Sequence, residues 1–119
     1  MKMPDAQHPI SVTPTGQRVC VSFNGVVIAD SMRALTLQES TYRPVIYIPR
    51  ADARMDLMMR TEHRTHCPYK GDASYYSVRV GNRVSDNAVW SYEAPYPAMA
   101  AIAGHLAFYP DRVDTIEQV

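Results

Sequence analysis

Apolar and polar positions alternate along most of this chain. Val19, Val21 and Phe23 interleave with Arg18, Cys20 and Ser22, the period-two pattern of a strand with one buried face. Asn24-Gly25 follows. A type I′ hairpin turn needs positive φ at both central positions, which Asn and Gly adopt at least cost. Val26 to Asp30 is then the returning strand. Ala34 to Gln38 and Val45 to Ile48 read as two more, the second bracketed by Pro44 and Pro49 and therefore short and near an edge.

Asp52 suits the cap of a single helical turn through Ala53-Arg54. Met55, Leu57 and Met59 alternate, so 55–61 is read as a strand. Residues 62–73, EHRTHCPYKGDA, have no apolar period and read as a loop. Alternation resumes from Ser74 to Val80, reverses at the primed-type turn Gly81-Asn82, and returns from Arg83 to Tyr92. Pro95 and Pro97 precede Met99, Ile102 and Leu106 at helical spacing, which predicts one short helix near 96–105. A last strand is expected from Val113 to Ile116. Residues 1–15, with Pro4, Pro9 and Pro14, read as an irregular lead-in, and 16–119 as a single domain. The expectation is a mainly β fold of about eight short strands and one helix.

Composition narrows the function more than the fold. Twelve Lys and Arg balance twelve Asp and Glu, so the basic excess that drives non-specific nucleic-acid or anionic-membrane binding is missing. No apolar run approaches the ~20 residues of a membrane span. MKMPDAQHPI lacks the apolar region of a signal peptide. Cys20 and Cys67, 47 positions apart, form no disulfide framework, and reduced thiols in a cytoplasmic location are the simplest expectation. Only Lys2 and Lys70 are lysines and the other ten basic residues are arginines. That bias permits recognition of carboxylate or phosphate through a planar fork.

Several ordered motifs resemble one family. HCPYKG at 66–71 with Tyr75, NAVWSYEAPYP at 87–97, AFYPDRV at 107–113 and PRADARMDL at 49–57 together are similar to the domain of unknown function 427 family, from about Arg18 to Val113. The resemblance implies a compact, tent-like β domain of the kind shared by Mss4-like proteins and methionine sulfoxide reductase B. Many members of that wider group hold zinc through two Cys-x-x-Cys knuckles, a pattern this chain lacks. A nucleotidyltransferase label is attached to the family in places. The sequence carries neither a Gly-rich phosphate loop nor a strand-borne pair of close aspartates to hold Mg²⁺.

Candidate chemistry concentrates around Cys67. His66 precedes it and Lys70 follows, and a neighbouring cation favours the reactive thiolate. His63 and His105 are alternative general bases. His63, His66 and Cys67 also offer zinc-type donors, yet no paired knuckle completes a set, so neither a metal nor a cofactor is expected. Arg50, Arg54, Lys70 and Arg79, with Tyr75, Trp90, Tyr92 and Tyr96, are candidates for the wall of an anion or aromatic-ligand pocket. Eight tyrosines against two phenylalanines favour a polar-lined surface, because each buried phenol needs a partner.

Three functions compete. The first is a module binding a small anionic or aromatic ligand beside the HCPYKG segment. The second is a small enzyme with Cys67 as nucleophile or redox thiol. The third is an interaction domain, including a possible homodimer formed through a sheet edge or the Tyr-rich face.

Overall fold

A computed structural model describes residues 1–119. Ten strands form: β1 Ile10–Pro14, β2 Val19–Phe23, β3 Val26–Ser31, β4 Leu35–Glu39, β5 Val45–Tyr47, β6 Met58–Cys67, β7 Gly71–Val80, β8 Arg83–Ser91, β9 Ala107–Phe108 and β10 Thr115–Gln118. They make three antiparallel sheets, in the orders β1-β4-β5, β10-β2-β3 and β6-β7-β8-β9. The fold is a small, mainly β domain. No helix is long and apolar enough to cross a membrane.

Turn chemistry fixes both short hairpins. Asn24 and Gly25 have φ of 50° and 78°, as type I′ requires. At Gly81-Asn82 only the glycine has positive φ, 61°, which fits a II′ reversal between Val80 and Arg83.

The structure differs from the sequence expectation in several places, among them Met55–Leu57, a 3₁₀ turn ahead of β6 rather than the start of a strand, and the last strand, which runs Thr115–Gln118. Residues 10–14 are a strand rather than part of an irregular lead-in, because Ile10 and Val12 pair with Glu39 and Leu37 of β4. The supposed loop 62–73 is a hairpin. β6 runs to Cys67, three residues turn, and β7 begins at Gly71. β6 is polar along most of its length because it lies at a sheet edge, so it needs no apolar period. The expected helix is a 3₁₀ segment, Pro97–Ile102, kinked at Met99. Asp52 ends a 3₁₀ turn instead of capping one, and its carboxylate takes Ser31 Oγ at 2.7 Å and Arg33 Nη2 at 3.0 Å.

Two apolar clusters hold the sheets together. The larger joins Val19, Val21, Phe23 and Ile28 of the β2–β3 hairpin to Tyr76, Val78 and Val89 of β7–β8. The smaller gathers Leu37, Tyr47, Tyr75, Tyr92, Met99 and Ile102. Ile48 and Leu106 lie between sheets, and each backbone N–H donates to the other's carbonyl at 2.8 and 2.7 Å. That clasp brings β5 against β8 and β9.

Candidate functional site

β5 supplies the organising geometry. Its residues alternate sides, so Tyr47 faces one cavity while Ile46 and Ile48 face another. The first cavity, of about 200 Å³, is lined by Leu37, Glu39, Lys70, Tyr75, Tyr92 and Tyr109 among others. The second, of about 320 Å³, is mainly apolar, with Val21, Ile46, Ile48, Phe108, Pro110 and Ile116 in its wall. Arg43, Val45 and Trp90 belong to both.

Lys70 reaches the first cavity from the 66–71 hairpin. Gly71 follows the turn at φ 112°, a conformation that L side chains rarely adopt, and its Cα side faces Pro95 and Tyr96 at ordinary contact distance. The hairpin tip is tied down at both sides. Tyr96 N donates to Lys70 O at 2.9 Å, and Lys2 N donates to Pro68 O at 2.7 Å. His8 stacks on Tyr69 with ring centroids 4.2 Å apart. So the Lys70 side chain, 7% exposed, is directed inward. Its Nζ donates to Glu39 Oε1 at 2.5 Å and toward Cys67 Sγ at 3.7 Å. His8 Nε2 donates to the other Glu39 oxygen at 2.8 Å. Burial pushes the Glu39 carboxyl up, but hydrogen bonds from Lys70 and His8, and their charges, outweigh burial and hold it below its ordinary value.

Counting protons around this cavity leaves a surplus of donors. Trp90 Nε1 donates to the Tyr47 hydroxyl at 3.3 Å, so the Tyr47 proton itself has no acceptor in the chain. The Tyr92 hydroxyl makes no hydrogen bond within the protein and, as no fully buried polar side-chain atom lacks a partner, it opens onto the cavity. Thr65, Tyr75 and Tyr109 form a line of hydroxyls at 2.9 and 3.2 Å, where two bonds use two of three protons. Burial raises Tyr47 and Tyr92 well above the usual phenol range and pushes Tyr109 up to about 12, so all three remain protonated donors at neutral pH. The only carboxylate in the wall, Glu39, is already taken on both oxygens.

Of the candidate residues, Lys70, Tyr75, Trp90 and Tyr92 meet at this cavity. Cys67 packs beside it against the smaller cluster, half-buried. The others lie elsewhere. His66 is exposed on β6 and pairs with Asp72 at 2.8 Å, directed away from Cys67 by strand alternation. Arg50 sits over the Tyr76 ring at 5.3 Å and reaches Glu93 at 3.4 Å. Arg54 closes a local pair with Asp56 at 2.8 Å on the outer surface. Arg79 is exposed on β7 and lines neither cavity. Tyr96 anchors the hairpin through its backbone and meets the His66 ring edge-on at 6.3 Å. No three His, Cys, Asp or Glu side chains gather as a metal-binding group.

Three residues of the site escape sequence reasoning. Tyr47 and Glu39 are cross-sheet neighbours of Lys70, and only tertiary structure brings them near. Arg43 is exposed at the rim of both cavities, without an ion-pair partner. The residue before a proline favours extended backbone, and Arg43-Pro44 was the one available signal of a presented side chain.

The carboxylates give an acid-sensitivity prediction. Glu39 and Glu93 both have pKa values lowered in the fold; for Glu93, burial pushes up, but Ser74, Arg60, Arg50 and Tyr76 outweigh it. A lowered folded pKa means the stabilisation is fully present above the unfolded value, about 4.3, and is lost as pH falls through the folded one. Denaturant midpoints should therefore hold above the ordinary carboxylate range and drop as pH falls below it. Glu39→Gln should flatten part of that drop, and an unchanged profile in the variant would refute the assignment.

A family profile described as "Domain of unknown function (DUF427)" matches residues 11–119. No curated protein matches the chain.

Proposed function

The chain belongs to the domain of unknown function 427 family, and from that premise we propose that it is a binding module for a small, flat anion held in the phenol-lined cavity beside the 66–71 hairpin. The surplus of donors carries this reading. Tyr47 and Tyr92 hold protons with no acceptor in the chain, next to an ammonium group, in a cavity whose one carboxylate is fully engaged. A ligand that brings oxygen acceptors completes the site. The charges favour a monoanion, because Glu39 balances Lys70 and leaves Arg43 in excess at the rim. At about 200 Å³ the space is below the ~300–1,000 Å³ usual for drug-sized ligands, so one ring is the fitting size. Trp90 and Tyr109, with centroids 4.4 Å apart, offer aromatic surface to that ring.

Benzoate titration tests the proposal, with Trp90 as the sole tryptophan reporter. Tyr92→Phe should weaken binding about tenfold, the effect of one hydrogen bond to a charged group. Cys67→Ser should leave affinity within about twofold, since the thiol borders the cavity without being needed for its donors. Equal affinity for wild type and Tyr92→Phe would refute the reading. One observation favours the cysteine enzyme as a second reading, the approach of Lys70 Nζ to Cys67 Sγ at 3.7 Å. That reading predicts a turnover which Cys67→Ser abolishes.

A further inference from the structure

The apolar cavity across Trp90 has no part in the reading above, yet it shares a wall with the phenol cavity. Val45 and Trp90 form the partition and Arg43 stands at the rim of both. We propose that the two cavities are compartments of one site, and that its ligand is an amphipathic aryl carboxylate with an alkyl arm. The proposal rests on the anion-binding reading and adds the class of ligand.

Three observations support it. The compartments are complementary in chemistry. One presents Lys70 and the phenol protons, and the other presents Val21, Ile46, Ile48, Phe108 and Ile116. Their placement follows from strand alternation, since Tyr47 and its neighbours Ile46 and Ile48 face opposite ways from a single short strand. A ligand reaching over the rim that Arg43, Val45 and Trp90 share would meet the donors at one end and aliphatic side chains at the other. Finally, away from Arg43 at the shared rim, the apolar compartment has no unpaired charge to bind a second polar group. Its Asp114 is held by Arg83 at 2.9 Å and by the Asn24 backbone N–H at 2.7 Å. The larger volume, about 320 Å³, lies on the apolar side, so the arm outweighs the head in buried area.

The test is a homologous series of benzoate, 4-ethyl-, 4-butyl- and 4-hexylbenzoate, titrated by calorimetry into wild type and Thr115→Phe. Thr115 lines only the apolar cavity and is exposed, so a phenyl ring there narrows that compartment without entering the core. Wild-type affinity should rise about fourfold per added methylene until the compartment is full. In Thr115→Phe the rise should collapse while benzoate itself binds as before, which also shows that the variant is folded. Benzoate binding with no gain along the series would overturn the two-compartment proposal and leave the anion site standing. A gain that persists undiminished in Thr115→Phe would place the arm elsewhere and overturn it equally. If no member binds, both readings fall together.

Discussion

Lys70→Met is expected to cost about 3 kcal/mol of stability at neutral pH and to abolish the anion binding proposed above. The ammonium is buried, and Glu39 keeps only 15% of its side-chain surface exposed. Removing the lysine leaves a carboxylate among Leu37, Tyr47 and Tyr92 with His8 as its only remaining partner. Breaking a buried pair on one side costs ~3–5 kcal/mol, and the residual His8 contact places the expectation at the lower end. A second signature separates this from general damage. The stranded carboxylate escapes by binding a proton, so its pKa in the folded variant rises above the unfolded value. The deficit should then be largest at pH 7 and shrink as pH falls toward about 4. Urea midpoints at the two pH values measure it. Adding Glu39→Gln should recover a substantial part of the loss at pH 7, and a double variant as weak as the single one would refute the pairing argument.

Leu106→Ala is expected to be comparably severe, at about 3 kcal/mol within the usual ~2–5 range for a buried leucine. Leu106 is fully buried, and its backbone is fixed by the reciprocal bonds with Ile48. The surrounding strands therefore have little freedom to close the void, and the cavity contribution stays large. For a domain of this size the melting temperature should fall by more than about 10 °C. Val84→Ala, at a position 49% exposed, serves as the control and should stay within about 0.5 kcal/mol. If the two variants melt alike, the clasp between Ile48 and Leu106 is not a fastening point. Because Ile48 also lines the apolar cavity, Leu106→Ala should loosen the ligand binding proposed there along with the fold.

Local chemistry was readable where it is self-contained. Asn24-Gly25 and Gly81-Asn82 declare their turns because positive φ is a property of the residues themselves. Period-two alternation marks β2, whose Val19, Val21 and Phe23 face the core, and it also marks β7, which is buried on both faces, with Tyr76 and Val78 in the larger cluster and Tyr75 in the smaller. β6 defeats the same reasoning, since a solvated edge strand imposes no apolar rhythm on EHRTHC. β1 is masked by Pro9 and Pro14, although Ile10 and Val12 retain the alternation between them. Lys70, Tyr75, Trp90 and Tyr92, which stand out by residue type, line one cavity together. Glu39, Arg43 and Tyr47 do not stand out, because they come from another sheet and their meeting with Lys70 is a tertiary event. Arg50, Arg54 and Arg79 do not line that cavity. An arginine's sequence gives its charge but not its direction, and Arg50 and Arg54 are used by nearby carboxylates.

The polar edge of β6 has a consequence for behaviour in concentrated solution. The strand is ten residues long and pairs on one side only, with β7. Such an open row of peptide groups is a template for cross-β growth. A chain with no net charge gains little colloidal repulsion to oppose it. Arg60, Glu62, His63 and Arg64 stand on that edge, and the bulge between Arg60 and Arg64 breaks its register midway. Charged side chains and a bulge on an open edge are features that oppose edge-to-edge pairing where net charge gives no repulsion.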